Sequence, residues 1–248
     1  MEEIAHHARI SFGHFTTLQI RNSGILGWEY HLSRLQHATH VLFGCRLDCC
    51  QLTATIASAY RATQLKDADV KISIFPSISL QPQSALDVLL HFTPHAVTTS
   101  HSMRLLTMCH QRALPHIKHT GIFSSFACRQ HAEKQGFDDA LFTTPQGFIT
   151  EGTFWNIGFL DQQKVVWPRG PMLCGTQQRL LYDGLHLLGI TQDYEWITLE
   201  KARSFSGAFV CNARGQRPIA QINHHIYENP FLSDSLAQAL ALHSAHSL

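Results

Sequence analysis

Lysine is scarce in this chain of 248 residues, and an amine nucleophile must come from Lys66, Lys71, Lys118, Lys134, Lys164 or Lys201. Lys118 stands apart from the other five. It follows Leu114-Pro115-His116-Ile117 and precedes Thr120-Gly121-Ile122-Phe123, an almost uncharged stretch at the mouth of an expected helix. Such a context desolvates an amine and lowers its pKa, which makes it a better nucleophile. A candidate acid lies in GFITEGTFWNIGF, residues 147–159, where Glu151 sits between a strand ending and a glycine and is followed by Asn156. On local sequence Glu151 reads as a functional acid or as a turn carboxylate that caps nearby amides. Between His101 and Lys134 the cations Arg104, Arg112, Lys118, Arg129 and Lys134 stand against Glu133 alone, a local balance of +4. That excess suits an anion pocket or a solvated face.

Other chemistries find less support. The 18 histidines invite a metal site, but there is no HExxH, and His6-His7 and His224-His225 are adjacent pairs. His110, His116 and His119 remain as one group, and no metal is expected. The seven cysteines include no CxxC pair and are read as reduced thiols. Phosphate-binding GxxxxGK[ST], dinucleotide-binding GxGxxG and the GxSxG nucleophile elbow are all missing. A net charge of +1 gives no overall field for nucleic acid. No apolar run approaches the roughly 18 residues of a membrane span. The opening MEEIAHH carries acid where a signal peptide carries Lys or Arg, so a cytoplasmic location is expected.

With 44% apolar residues the chain can bury a core of one large domain or two smaller ones. SFGHFTTLQIRNSGILGWEY predicts a hairpin around Asn22-Ser23-Gly24, and HLSRLQHATHVLFG a helix over 31–43 that ends at Gly44. A second helix is expected through QLTATIASAYRATQL, then strands VKISIF and ALDVLLHF flanking the Pro-containing PSISLQPQS. TPHAVTTSHS, residues 93–102, has the composition of a connection, which places a boundary between domains 1–100 and 101–248. Beyond it the patterns predict strand MRLLTM, a helix through SSFACRQHAEKQ stopped by Gly136, and strands DALFTT, FIT, NIGFLD and KVVWP. A helix TQQRLLYDGLHLL ending at Gly189, strands YEWITL, GAFVCNA and RPIAQI, and a closing helix from about Pro230 complete the order.

Four stretches taken together carry a family resemblance. They are SFGHFTTLQIRNSGILGWEYHLSRLQHA, LPHIKHTG, GFDDALFTTPQGFITEGTFWNIGF, and WPRGPMLCGTQQRLL followed by FVCNARGQRPI. In this order, over roughly residues 11–222, the chain resembles the class IV aminotransferases. These are enzymes of pyridoxal phosphate (PLP) fold type IV that include branched-chain and D-amino acid transaminases and aminodeoxychorismate lyase. The resemblance implies an α/β (α+β) protein of two domains, a smaller N-terminal α/β domain and a larger C-terminal PLP-binding domain with a mixed sheet or barrel. It also implies a homodimer with PLP as cofactor. By position Lys118 matches the Schiff-base lysine, Glu151 the acid that pairs with the pyridine nitrogen, and Arg34 in HLSRL the arginine that grips the cofactor phosphate. Gly175, Thr176 and Gln177, just before a helix, match the loop that offers amides to the same phosphate. Asn156, Asn212 and Ala213 complete the expected cofactor contacts.

The implied activity is amino transfer between a small amino acid and a 2-oxo acid. A lyase of the aminodeoxychorismate type, releasing pyruvate, is the alternative, and a degenerate PLP-binding relative is the third reading. The sequence departs from many transaminases where a tyrosine five residues after the lysine is Phe123, a position at which the lyases also lack tyrosine. Gln177 stands for the usual threonine of the phosphate loop, and Gln178 or Arg179 for its arginine. Arg104, Arg112 and Arg214 are candidates for the substrate carboxylate on charge alone.

Overall fold

The structure is a computed structural model describing residues 7, 10–77, 86–96, 101–161, 164–228 and 234–248. They fall into two compact units. The first draws on Met1–Val97, Ile117–Ile122 and Ser244–Leu248, the second on Thr98–His116 and Phe123–His243.

In the first unit β1 (His14–Arg21) and β2 (Gly24–Leu26) form the expected hairpin. Its two turn residues, Asn22 and Ser23, both take positive φ, as a tight right-twisted hairpin requires. Helix α1 (Trp28–Phe43) ends at Gly44 as the pattern predicts, with φ +67 there. It begins three residues before the expected start, because left-handed Gly27 (φ 66) lets the chain turn directly out of β2. Helix α2 (Cys49–Thr63) is capped by Asp48, whose carboxylate accepts the Gln51 N–H at 2.9 Å. Strands β3 (Ala68–Pro76) and β4 (Leu86–Pro94) follow. PSISLQPQS lies largely outside the described residues, as do residues 97–100 of the expected connection.

The antiparallel sheet runs β14-β2-β1-β3-β4, where β14 is Ala245–Ser247. Alternation on β1 and β3 sends Leu18, Ile20, Val70, Ile72 and Ile74 into one core with Leu35, Leu52 and Ile56 of the two helices. Thr16 shares that face of β1, which places its hydroxyl beneath α1.

The second unit is built on β5 (Met103–Cys109), β6 (Asp139–Thr143), β7 (Ile149–Gly152), β8 (Asn156–Asp161), β9 (Lys164–Pro168) and β10 (Gln192–Glu195). Strands β11 (Gly207–Asn212), β12 (Gly215–Ile222) and β13 (His225–Ile226) complete it. The path β8-β11-β12-β5-β6-β7 returns to β8, so this mixed sheet closes as a barrel, with β9 and β10 extending from β8. The closing contact is one residue pair, Glu151↔Asn156.

Alternation decides which side chains fill this barrel. Leu105, Leu141, Ile149, Ile157, Phe159, Ala208 and Val210 share one core. Their neighbours Ala140 and Phe142 pack with Cys128 and Ala132 of α3 (Phe123–Lys134). Phe209 and Cys211 pack with Leu181 and Leu185 of α4 (Thr176–Leu187), and with Leu236 of α6 (Asp234–Ala241).

One expected strand differs. YEWITL ends its pairing at Glu195, and Thr198 then caps the short helix α5 (Leu199–Ala202) by accepting the Lys201 N–H at 3.1 Å. The apolar alternation of the stretch concealed that cap. The expected start of the closing helix, at about Pro230, lies outside the described residues, and the helix described there is α6. The mixed α/β class with a barrel-like sheet is therefore the one expected. Among the described residues no helix is long and apolar enough to cross a membrane.

Candidate active site

Glu151 sits on β7 at the point where the barrel closes, with 5% of its surface exposed. A carboxylate so buried requires partners. Arg112 Nε donates to Oε1 at 2.9 Å and the Leu173 N–H donates to Oε2 at 3.1 Å. The arginine, itself 10% exposed at its side chain, also donates through Nη2 to the Pro115 carbonyl at 2.6 Å. Facing Glu151 on β8, Asn156 donates through Nδ2 to the Leu173 carbonyl at 2.8 Å. Leu173 is thus held by both its backbone groups, one to each residue of the closing pair.

That clamp positions the start of α4. Gly175 is its N-cap, in extended conformation and with no side-chain cap, and Thr176, Gln177 and Gln178 in the first turn are buried. A Cβ on Gly175 would lie 2.0 Å from Asn156 Oδ1, so only glycine allows this approach. The first-turn amides of a helix have no intrahelical partners and carry the positive end of its dipole. Gln178 Oε1 is buried and has no hydrogen-bond partner in the protein. Asn212, at the end of β11, donates to the Phe154 carbonyl at 3.2 Å and accepts the Arg214 N–H at 2.8 Å. Ala213 lies in the turn that follows.

An acid that sequence reasoning missed organises the loop after Glu151. Asp139 is fully buried and accepts from Arg129 Nη2 at 2.5 Å, from the Thr153 hydroxyl at 2.7 and 2.9 Å, and from Trp155 Nε1 at 2.8 Å. It also accepts its neighbour's amide, Ala140 N–H, at 2.8 Å. The Trp155 ring lies so close to Gly152 that a Cβ there would meet it at 2.1 Å. The signal available in the sequence was the second acid of GFDD, placed at the head of an otherwise apolar strand.

In the first unit, the segment carrying Lys118 is bound to the start of β1. Phe15 N–H donates to the Lys118 carbonyl at 2.9 Å, and Thr120 N–H to the Gly13 carbonyl at 2.8 Å. Lys118 Nζ lies 4.9 Å from the centre of the Phe15 ring, and Lys71 Nζ lies 4.5 Å from the same centre. Buried His31 meets the Thr16 hydroxyl through Nδ1 at 2.7 Å, and Arg34 Nη1 donates to that hydroxyl at 3.5 Å. Burial, together with the charges of Arg34 and Lys118, lowers the His31 pKa to about 3, so the ring is neutral. His14 is buried likewise and lowered to about 4.

The arginines proposed on charge alone have other partners in the structure. Arg104 is an exposed residue 3.6 Å from Asp138, while Arg112 is buried against Glu151. Arg214 contributes its amide to the turn held by Asn212. Among the described residues no group of three or more His, Cys, Asp or Glu is arranged to hold a metal, and His110, His116 and His119 do not form one. Phe123, in place of a tyrosine, is 85% exposed at the start of α3.

An arginine-paired buried carboxylate beside an uncapped helix start suits a ligand that carries a basic ring nitrogen and a phosphate. Comparison with known proteins agrees with this chemistry. No curated protein matches the sequence significantly. Among solved structures, the chain is similar to a branched-chain aminotransferase from Thermoproteus uzoniensis, with 19% identity over 95% of this chain and 86% of that one, at a TM-score of 0.85. It is also similar to the 4-amino-4-deoxychorismate lyase of Pseudomonas aeruginosa (18% identity, 95% and 92% covered, TM-score 0.80). A third likeness is to a hypothetical aminotransferase from Mycobacterium tuberculosis in its PLP-bound form (16%, 95% and 89%, TM-score 0.82). The profile of the family described as Amino-transferase class IV matches residues 13–222, and the chain therefore belongs to the class IV aminotransferases, whose cofactor is pyridoxal phosphate.

Proposed function

We propose that the protein is a PLP-dependent aminotransferase that moves an amino group between a small amino acid and a 2-oxo acid. The observation that carries this reading is the clamp on Leu173, which ties a buried, arginine-paired Glu151 to the start of α4. Bound PLP supplies an electron-withdrawing ring that stabilises negative charge at the substrate's α-carbon. Glu151, paired with Arg112, would face the protonated ring nitrogen. The amides of Gly175, Thr176 and Gln177 and the guanidinium of Arg34 receive the phosphate, while Asn156 holds the loop that presents those amides. Asn212 and Ala213 form the further turn assigned to the same cofactor.

Lys118 has two tasks. Its Nζ would hold the cofactor covalently, and as a free amine it would take the proton from the substrate's α-carbon. Neutral His31 beside it neither adds positive charge nor competes for that proton. The lyase reading, in which pyruvate is released, draws support from Phe123, which offers no hydroxyl at the position where many transaminases carry one. A homodimer and a cytoplasmic location belong to the same proposal.

The test is to load the protein with PLP, reduce with borohydride and find the labelled lysine by peptide mass spectrometry. A label on Lys118 is expected, and a label elsewhere or none overturns the assignment. A panel of amino acids and 2-oxo acids, with pyruvate release followed in parallel, then separates transfer from elimination.

A further inference from the structure

Arg112 is a largely enclosed cation that the proposed reaction does not use directly. Its guanidinium donates through Nε to Glu151 Oε1 at 2.9 Å and through Nη2 to the Pro115 carbonyl at 2.6 Å. Both partners matter. The first is the acid assigned to the cofactor's ring nitrogen. The second lies three residues before Lys118 on the segment through which the chain leaves the second unit, since residues up to His116 belong to it and Ile117–Ile122 do not. The side chains of the ion pair are 10% and 6% exposed, so water screens their attraction little.

We infer that Arg112 is the positioning residue of this site: it fixes the charge state of Glu151 and, through Pro115, the point from which the lysine segment departs. The inference rests on the proposed role of Glu151, and its logic is electrostatic. A buried carboxylate without a cation favours its protonated form. Protonated Glu151 would donate to the ring nitrogen and leave it neutral, whereas ionised Glu151 accepts from a protonated nitrogen. Arg112 selects the second arrangement, and the Leu173 N–H, which can only donate to Oε2, favours the same ionised state. His110, two residues before Arg112, also lies in this corner of the unit, and its pKa is lowered by burial and, to a lesser degree, by Arg112.

The test uses the full chain loaded with PLP. The pH at which the bound cofactor's visible absorbance changes reports proton binding at the nitrogen shared with the lysine, and that pH is sensitive to the ring nitrogen's charge. Arg112→Met is expected to raise this midpoint by about 1 to 3 units, and Arg112→Lys to return it most of the way. In a Glu151→Gln background, Arg112→Met should add nothing. An unchanged midpoint in Arg112→Met overturns the inference, and so does a shift of equal size in the Glu151→Gln background, since the arginine would then act on the cofactor directly. Should Arg112→Met fail to fold, Arg112→Lys and the Arg112→Met/Glu151→Gln double variant, which leaves no unpaired charge, decide the question by the same readout. Labelling of wild-type Lys118 by borohydride is run first. Its failure would refute the PLP reading itself, and a thermal-unfolding double-mutant cycle on Arg112 and Glu151 in the cofactor-free protein would then overturn or retain the pair's coupling independently.

Discussion

Asp139 and Glu151 are two buried carboxylates in the same barrel, each with an arginine, and both border one short turn, which Glu151 precedes and which donates to Asp139. Besides Arg129 and the amide of its neighbour Ala140, Asp139 draws its partners from that turn, the Thr153 hydroxyl and the Trp155 indole, both converging on one side chain. Its partners tie the turn to β6. Glu151 draws its partners from distant segments, Arg112 and Leu173, and through Leu173 acts on the start of a helix. The same functional group therefore fixes a loop in one place and presents a charge to a helix N-terminus in the other. Burial with an arginine does not distinguish the roles, and the origin of the remaining partners does.

The two acids therefore fail differently when replaced. The largest effect expected is on turnover in Glu151→Gln, a loss of several orders of magnitude with the labelled lysine retained, measured by steady-state kinetics beside borohydride trapping. Asp139→Ala should instead cost about 3 kcal/mol of stability in denaturant unfolding, because Arg129, Thr153 and Trp155 all lose their acceptor. A fall of turnover in the folded Asp139→Ala fraction as deep as that of Glu151→Gln would erase the contrast. Gly175→Ala sharpens it from the helix side. Its Cβ meets Asn156 Oδ1, so a loss of about 1–3 kcal/mol and weaker phosphate affinity are expected, read by thermal melting with and without inorganic phosphate.

The gentlest effect concerns buried bases in the other unit. His31 and His14 are neutral when folded, with pKa values lowered to about 3 and about 4 from 6.5. Below pH 6.5 the unfolded chain binds protons that the folded one does not, so stability falls with pH down to the folded values and then levels. The slope is at most about 1.4 kcal/mol per pH unit for each histidine. His31→Gln should flatten this acid limb, and a limb identical to wild type would show that the ring protonates in place.

Much of the fold was legible because it is periodic. The Asn22-Ser23 hairpin, α1 ending at Gly44, and the strands from Met103 to Asp161 follow from alternation, helical spacing and turn residues. The missed pieces lack such a signal. Ala245–Ser247 is small and polar, and becomes a strand because β2 offers an edge. Thr198 caps a helix inside a stretch that alternates like a strand. At the candidate site Glu151, Asn156 and Gly175 drew attention as separate positions. That Leu173 joins them depends on a hydrogen bond from each of its backbone groups, to which its side chain gives no clue. Arg112 was visible as charge, but its partner lies 39 residues away on β7, and only the folded sheet β5-β6-β7 brings the two together.

The assembly of the first unit from three separated stretches has a consequence for the order of events at the ribosome. Strand β14 emerges only after the whole of the barrel has been synthesised, yet it supplies the edge of the sheet begun by β1 and β2. Until then the β2 edge stands exposed, with its backbone groups available to any passing strand. The nascent chain therefore carries an unfinished sheet while the barrel is being synthesised, and the docking of a three-residue strand completes it.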